Sequence, residues 1–296
     1  MIRLINEREN IGSGSNTRRE ALMKVACLVT AASLAVMLSA QPGLAQTKSG
    51  VDRLYVLNCG EGTGPDQSRW SPGINVGKPL DISDNCYLIH HAQGWLLWDT
   101  GVAEAIADMP DGQKGEGTGP AWHRPKKLAA QFDQIGVKPS DIKYVAVSHT
   151  HPDHSGNVEM FPQAMLLVQK AEYDWPLPNG ANRFKPEHPV TKLEGDHDVF
   201  GDGSAVLIST PGHTPGHQSL IVKLPKTGTL LLTGDAVHFK DNWDNRRVPG
   251  GNTDHDQTVA SMQRIADFLS KEQAKLWINH DKVQTNTLKH SPEFYD

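Results

Sequence analysis

Tyr144-Val145-Ala146-Val147-Ser148-His149-Thr150-His151-Pro152-Asp153-His154 is an apolar run followed by four potential metal ligands within six residues. Imidazole and carboxylate groups suit zinc and neighbouring first-row metals, and a mononuclear catalytic site takes three protein ligands plus an open position. Four ligands in so short a span exceed what one ion needs. On extended backbone, side chains two apart share a face, so His149 and His151 can point the same way. Asp153 and His154 lie beyond Pro152, where the chain turns towards a helix. Two ions are the simplest reading, carried on a turn at the end of a strand.

Three other places have the same local form. Residues 206–209 lead into Thr210-Pro211-Gly212-His213-Thr214-Pro215-Gly216-His217, residues 230–233 into Gly234-Asp235, and residues 276–279 into His280-Asp281. In each, a short apolar strand ends in a turn bearing a His or Asp, which is how residues distant in sequence are collected at one edge of a sheet. The expected metal ligands are therefore His149, His151, Asp153, His154, His213, Asp235 and His280.

The succession H-x-H-x-D-H, T-P-G-H, G-D and a late His resembles the pattern of the metallo-β-lactamase superfamily, over roughly residues 54–295. Within it, the N-acyl homoserine lactonase branch is similar through Gly234-Asp235-Ala236-Val237-His238-Phe239, Asp241-Asn242-Trp243-Asp244 and Asn279-His280-Asp281. The resemblance implies an α/β fold, the four-layer αββα sandwich, as one catalytic domain over residues 46–296. It also implies two divalent ions per chain, zinc by default with cobalt, manganese or iron as alternatives. His149, His151 and His213 would hold the first ion, Asp153, His154 and His280 the second, and Asp235 would bridge them. Asp99 in Trp98-Asp99-Thr100-Gly101 would brace the site, although Asp-Thr-Gly is also ordinary turn chemistry.

The activity implied is opening of the lactone ring of N-acyl homoserine lactones by a metal-bridging hydroxide, with Asp153 relaying a proton to the departing oxygen. His238 stands where several such lactonases have a tyrosine. A neutral imidazole N–H can replace the phenol as donor to the developing oxyanion, the alternative being that His238 packs beside Phe239. A lone histidine is more often a surface or core residue than a ligand. On that ground His90, His91, His123, His188, His197, His255 and His290 stay unassigned, and His217 reads as structural.

Rival readings differ at single positions. Metallo-β-lactamases proper carry Cys or Ser where this chain has Asp235, and flavodiiron oxidoreductases carry Glu where it has His151. Glyoxalase II thioesterases share all seven ligands and bind glutathione through a basic C-terminal region, for which only Lys282 and Lys289 follow His280 here. A non-enzymatic, metal-binding exported protein is the remaining class.

The N-terminal stretch has a different character. Arg18-Arg19 and Lys24 precede an uncharged run over residues 25–38, and Gly43-Leu44-Ala45 offers small residues for cleavage, so residues 1–45 read as a secretory signal. The run is short for a bilayer span of ~20 residues, which argues against a permanent anchor. Residues 17–24 resemble the twin-arginine export pattern, with Ala21 where Phe is usual, and imply a periplasmic or secreted protein. Residues 1–45 hold five Lys/Arg and three Asp/Glu, leaving 24 basic and 31 acidic residues, a formal net charge of −7. Such a surface does not attract nucleic acid. The expected partner is a small acyl lactone, with no stable membrane insertion and room left for a homodimer. Of three cysteines, Cys27 lies in the signal; Cys59 and Cys86 either pair in an oxidising compartment or remain buried thiols.

Strands are expected over residues 53–58, 85–90, 95–99, 144–148, 165–169, 205–209, 219–224 and 229–232, and helices over 126–136 and 253–270. The Gly/Pro-rich stretch 60–77 is expected to lack regular structure, and a second glycine-rich loop covers 111–119. Trp70 and Trp122, odd in solvent-facing loops, either line a mouth for an acyl chain or cap hydrophobic edges.

Overall fold

The hydrophobic alternation of the strands sets the architecture. In strand β1 (Val51–Gly64), Leu54 and Val56 face one core while Tyr55 and Leu57 face another. The same split separates Tyr87 and Ile89 from Cys86 and Leu88 in β2 (Leu80–His91), and Leu96 and Trp98 from Leu97 in β3 (Gly94–Trp98). A strand apolar on both faces belongs to a sheet covered on both sides. This computed structural model describes residues 50–296, and the expected signal segment lies outside them.

Two sheets pack face to face. The first has seven strands, adding β4 (Ala121–His123), β5 (Ile142–Ala146), β6 (Met165–Gln169) and β7 (Val190–Leu193) in the order β4-β1-β2-β3-β5-β6-β7. The second contains β8 (His197–Asp198), β9 (Ala205–Ser209), β10 (Gln218–Leu224), β11 (Gly228–Leu232) and β12 (Lys275–Trp277), in the order β12-β11-β10-β9-β8. Between them lie Leu54, Val56, Ile89, Trp98, Leu207, Leu220, Val222, Leu230 and Leu232.

Helix α1 (Leu128–Ile135) covers the outer face of the first sheet through Leu128 and Phe132. It stops at Gly136, whose left-handed φ of 71° is the C-cap geometry glycine adopts without steric penalty. Three further helices are short: α2 (Pro152–Ser155), α3 (Lys170–Tyr173) and α4 (Lys240–Asn245). Helix α5 (His255–Glu272) starts at an Asp254 N-cap and lays Ile265 on Ile208, Ile221 and Leu231 of the second sheet, completing the αββα order. The last helix is α6 (Lys282–Thr285).

Parallel pairing positions the site. Strands β3, β5, β6 and β7 run parallel, so the residues following β3 and β5 emerge at one edge. Strands β11 and β12 are also parallel, which brings Asp235 and His280 out at a common edge of the second sheet.

Two expectations are corrected. Residues 60–77 are not irregular throughout: β1 runs on to Gly64, paired with Leu80–Asp84 past a bulge between Asn58 and Gly60. The glycines here belong to the strand because indoles lie flat against it. A Cβ at Gly62 would sit 2.8 Å from the Trp122 ring, and one at Gly64 would sit 2.5 Å from Trp70. The strand expected to reach Ser148 ends at Ala146, and β4, β7, β8 and α6 have too few residues for a periodic signal. Cys59 and Cys86 form a disulfide between β1 and β2, with Cα atoms 5.7 Å apart.

Candidate metal centre

All seven expected ligands converge, and they divide into two groups. His149, His151, His213 and Asp235 form one; Asp153, His154 and His280 form the other. Within the first, His149 Nε2 lies 2.8 Å from His151 Nδ1 and 3.1 Å from His213 Nε2; within the second, His154 Nε2 lies 3.2 Å from His280 Nε2. Asp235 sits between them. Its Oδ2 is 3.3 Å from His213 and 3.7 Å from His149, whereas its Oδ1 is 3.2 Å from His154 and 3.0 Å from His280. Oδ1 is buried and, despite those short distances, makes no hydrogen bond.

The hydrogen bonds of the outward nitrogens decide which nitrogen of each ring faces inward. His280 Nδ1–H donates to the Ser83 carbonyl at 2.7 Å, and His154 Nδ1–H donates to Asp99 Oδ2 at 2.9 Å. Ser148 Oγ donates to Asp99 Oδ2, leaving a lone pair to accept from His149 Nδ1–H at 3.0 Å. When each ring carries a single proton, these bonds place it on Nδ1 and leave bare Nε2 lone pairs facing one another, an arrangement that repels unless a cation, proton or metal, lies between. Such outer hydrogen bonds are how proteins orient metal-binding imidazoles and set their tautomer. The donor set fits two divalent ions of the zinc type.

Asp99 thus occupies the bracing position the resemblance implied. It also accepts from the Ser148 N–H at 2.6 Å, and its φ of 56° is the left-handed form that Asp tolerates in a tight turn. His217 is structural: its Nδ1–H donates to the Thr210 carbonyl and its Nε2 accepts from the Asp235 N–H at 2.9 Å. Burial pushes His217 down to about 3, so it stays a neutral acceptor.

Electrostatics distinguish the two groups. Burial holds His149 and His213 well below the usual imidazole range, which keeps their lone pairs free. Burial opposes charge on His154 and His280 too, but there Asp235 outweighs it, holding His154 well above its ordinary value and His280 up at about 9. Burial likewise works against ionised Asp235, yet the surrounding imidazoles, His280 first, hold its carboxyl well below the usual range. A buried carboxylate that draws positive charge onto its neighbours is the setting in which divalent ions displace protons.

The groups open into a cavity of about 660 Å³. Trp70, Ile82, Val102 and Trp122 give it an apolar wall, and Asp153 and His238 face it. Both indoles also pack with Ile106 and Phe239, so each lies against a β1 glycine and walls the cavity at once. His238 is buried, with Nε2 3.1 Å from Asp235 Oδ2 and Nδ1 without a hydrogen bond.

Several positioning residues had no sequence signal. Glu172, fully buried, accepts from Thr150 N–H at 2.8 Å and from Gly216 N–H at 3.0 Å, tying the first ligand turn to the second. Ser83 and Asn252 hold His280 and His213 through a carbonyl and a carboxamide. Single polar residues in loops carry no periodicity, and only their partners reveal them. The histidines left unassigned join neither ligand group.

The Metallo-beta-lactamase superfamily model matches residues 81–275. The chain belongs to the metallo-β-lactamase superfamily. Among its curated relatives in that superfamily, the N-acyl homoserine lactonase AttM of Rhizobium radiobacter is 37% identical over 235 residues, covering 74% of this chain and 89% of that protein. An N-acyl homoserine lactonase of a Bacillus species is 31% identical over 253 residues, covering 82% and 99%. Among solved metallo-β-lactamase folds, an N-acyl homoserine lactone hydrolase with the product N-hexanoyl-L-homoserine bound at its catalytic metal centre superposes with a TM-score of 0.74 at 29% identity, covering 83% of this chain and 100% of that one.

Proposed function

We propose that this chain is a metal-dependent lactonase that opens the ring of N-acyl homoserine lactones. The observation that carries the reading is Asp235, whose two oxygens each face one ligand group, so that both groups serve a single centre at the floor of one cavity. The curated lactonases and the product-bound hydrolase support the substrate class.

Two divalent ions held by His149, His151, His213, Asp235, Asp153, His154 and His280 would supply a water of lowered pKa and Lewis acidity towards the lactone carbonyl. Zinc is the default, with cobalt, manganese or iron as alternatives set by availability. The protein's own part is positional. Trp70, Ile82, Val102 and Trp122 offer an apolar wall for the acyl chain, which turns the lactone ring towards the ligand groups. His238 offers an N–H to the carbonyl oxygen as it gains charge. Asp153, on the cavity surface, takes the proton of the attacking water and returns it to the ring oxygen as the acyl C–O bond breaks, giving the N-acyl homoserine.

The deciding assay is side by side: metal-loaded protein on an acyl homoserine lactone, a glutathione thioester and a β-lactam. Turnover dominated by the thioester would replace this reading with a glyoxalase II-like one. Export completes the proposal, supported by the signal-like start and by a Cys59–Cys86 disulfide suited to an oxidising compartment. Protein isolated from its host should begin at Gln46, and an unprocessed cytoplasmic chain would refute export.

A further inference from the structure

Asn252 lies in the Gly250-Gly251-Asn252-Thr253 loop, on the wall of the same cavity, and was invisible as a site residue in the sequence. Its orientation is determined by the helix that follows. Thr258 Oγ1–H donates to the Asp254 carbonyl at 2.7 Å, one turn back along α5. With its proton so used, that hydroxyl presents a lone pair to Asn252 at 3.1 Å, and only the amide nitrogen can donate to it. The carboxamide oxygen must then face His213. His213 Nδ1 lies 2.9 Å from Asn252 Oδ1, so Nδ1 carries the proton and Nε2, 3.1 Å from His149 Nε2, is left as the bare lone pair.

The backbone is clamped as firmly. Thr253 N–H donates to the His213 carbonyl and Asp254 N–H to the Gly212 carbonyl, at 3.0 and 2.8 Å. Gly212 has a φ of 130°, and a Cβ there would lie 2.2 Å from Thr258 N, so the ligand turn is seated directly on the start of α5.

We infer that Asn252 is a positioning residue for the first metal group: the chain Asp254 carbonyl, Thr258 hydroxyl, Asn252 carboxamide sets the His213 tautomer that can bind a cation. The inference rests on the metal-centre reading above, and its test does not depend on which substrate is turned over. Replacing Asn252 by Leu removes the acceptor; replacing it by Asp keeps an acceptor for His213 and removes the donor to Thr258. A residue that merely braced the loop through Thr258 would be damaged equally by both.

The mature chain loaded with zinc should be challenged with a chromophoric chelator, and the release of each of its two ions followed. Wild-type protein and Asn252→Asp should hold both ions with similar affinity. Asn252→Leu should hold one ion as wild type and the other roughly ten- to a hundredfold more weakly, the usual range for losing an imidazole's outer partner. The inference is overturned by Asn252→Leu retaining both ions with wild-type affinity, by Asn252→Asp weakening in step with it, or by both ions being lost together. Failure of the lactone assay with this metal pattern intact would remove the substrate assignment and leave the role of Asn252 standing.

Discussion

Replacement of His238 by Phe separates a transition-state donor from a packing residue. The ring is buried, 5.0 Å between centroids from His213 and 5.8 Å from His280, and so lies alongside both ligand groups without belonging to either. Phenylalanine fills similar space and removes both nitrogens. Loss of a lone oxyanion donor costs ~2.7–4 kcal/mol, but here a Lewis-acidic ion shares the charge. Between half and all of the lower figure remains, about 1.4–2.7 kcal/mol, so kcat should fall roughly ten- to a hundredfold, with KM little changed because the donor acts on charge that develops only in the transition state. Elemental analysis should still find two metals per chain. His238→Tyr, which restores a donor of the kind the resembling lactonases carry, should recover most of the rate. The assay is steady-state hydrolysis of the best acyl homoserine lactone, with metal content measured on the same preparations. Wild-type kcat and KM in the Phe variant would refute the donor role; loss of an ion would show instead that His238 is a ligand.

Asp235→Ala should weaken retention of both ions, since each carboxylate oxygen faces a different group, whereas His217→Ala should leave the stoichiometry at two; elemental analysis after dialysis against chelator distinguishes them. Cys59→Ser should destabilise the chain by about 3.5 kcal/mol in denaturant titrations, the figure for opening a loop with a sequence separation of 27, and an unchanged midpoint would show the bridge to be dispensable. Asp84 is fully buried, which pushes its carboxyl up from 3.8 to about 6. Its folded pKa is raised, so its stabilising contribution is complete below about 3.8 and is lost as pH rises through about 6. Asp84→Asn should therefore raise Tm at pH 8 relative to wild type and do little at pH 4, more so after chelator treatment because nearby cations favour the carboxylate; a gain confined to acid pH would reverse the argument.

The residues that converge at the candidate centre were readable in the sequence because their chemistry is local and dense. Six residues from His149 to His154 hold four side chains of metal-binding type, and apolar runs before His213, Asp235 and His280 mark strand ends, so the layered α/β fold and the seven residues expected to meet could be stated from the chain alone. The two longest helices were likewise visible, expected over residues 126–136 and 253–270 and found at Leu128–Ile135 and His255–Glu272. The sequence left open whether Cys59 and Cys86 pair, because that depends on β1 and β2 lying side by side. It was misleading at residues 60–64, where glycine means close packing against Trp122 and Trp70 rather than a loop. Above all, tertiary structure alone decided which oxygen of Asp235 faces which group and which nitrogen of each imidazole is bare. Those are properties of hydrogen-bond partners such as Ser83, Asp99 and Asn252, brought from 39 to 197 residues away, and no local pattern in a chain encodes a partner that only the folded sheets place within 3 Å.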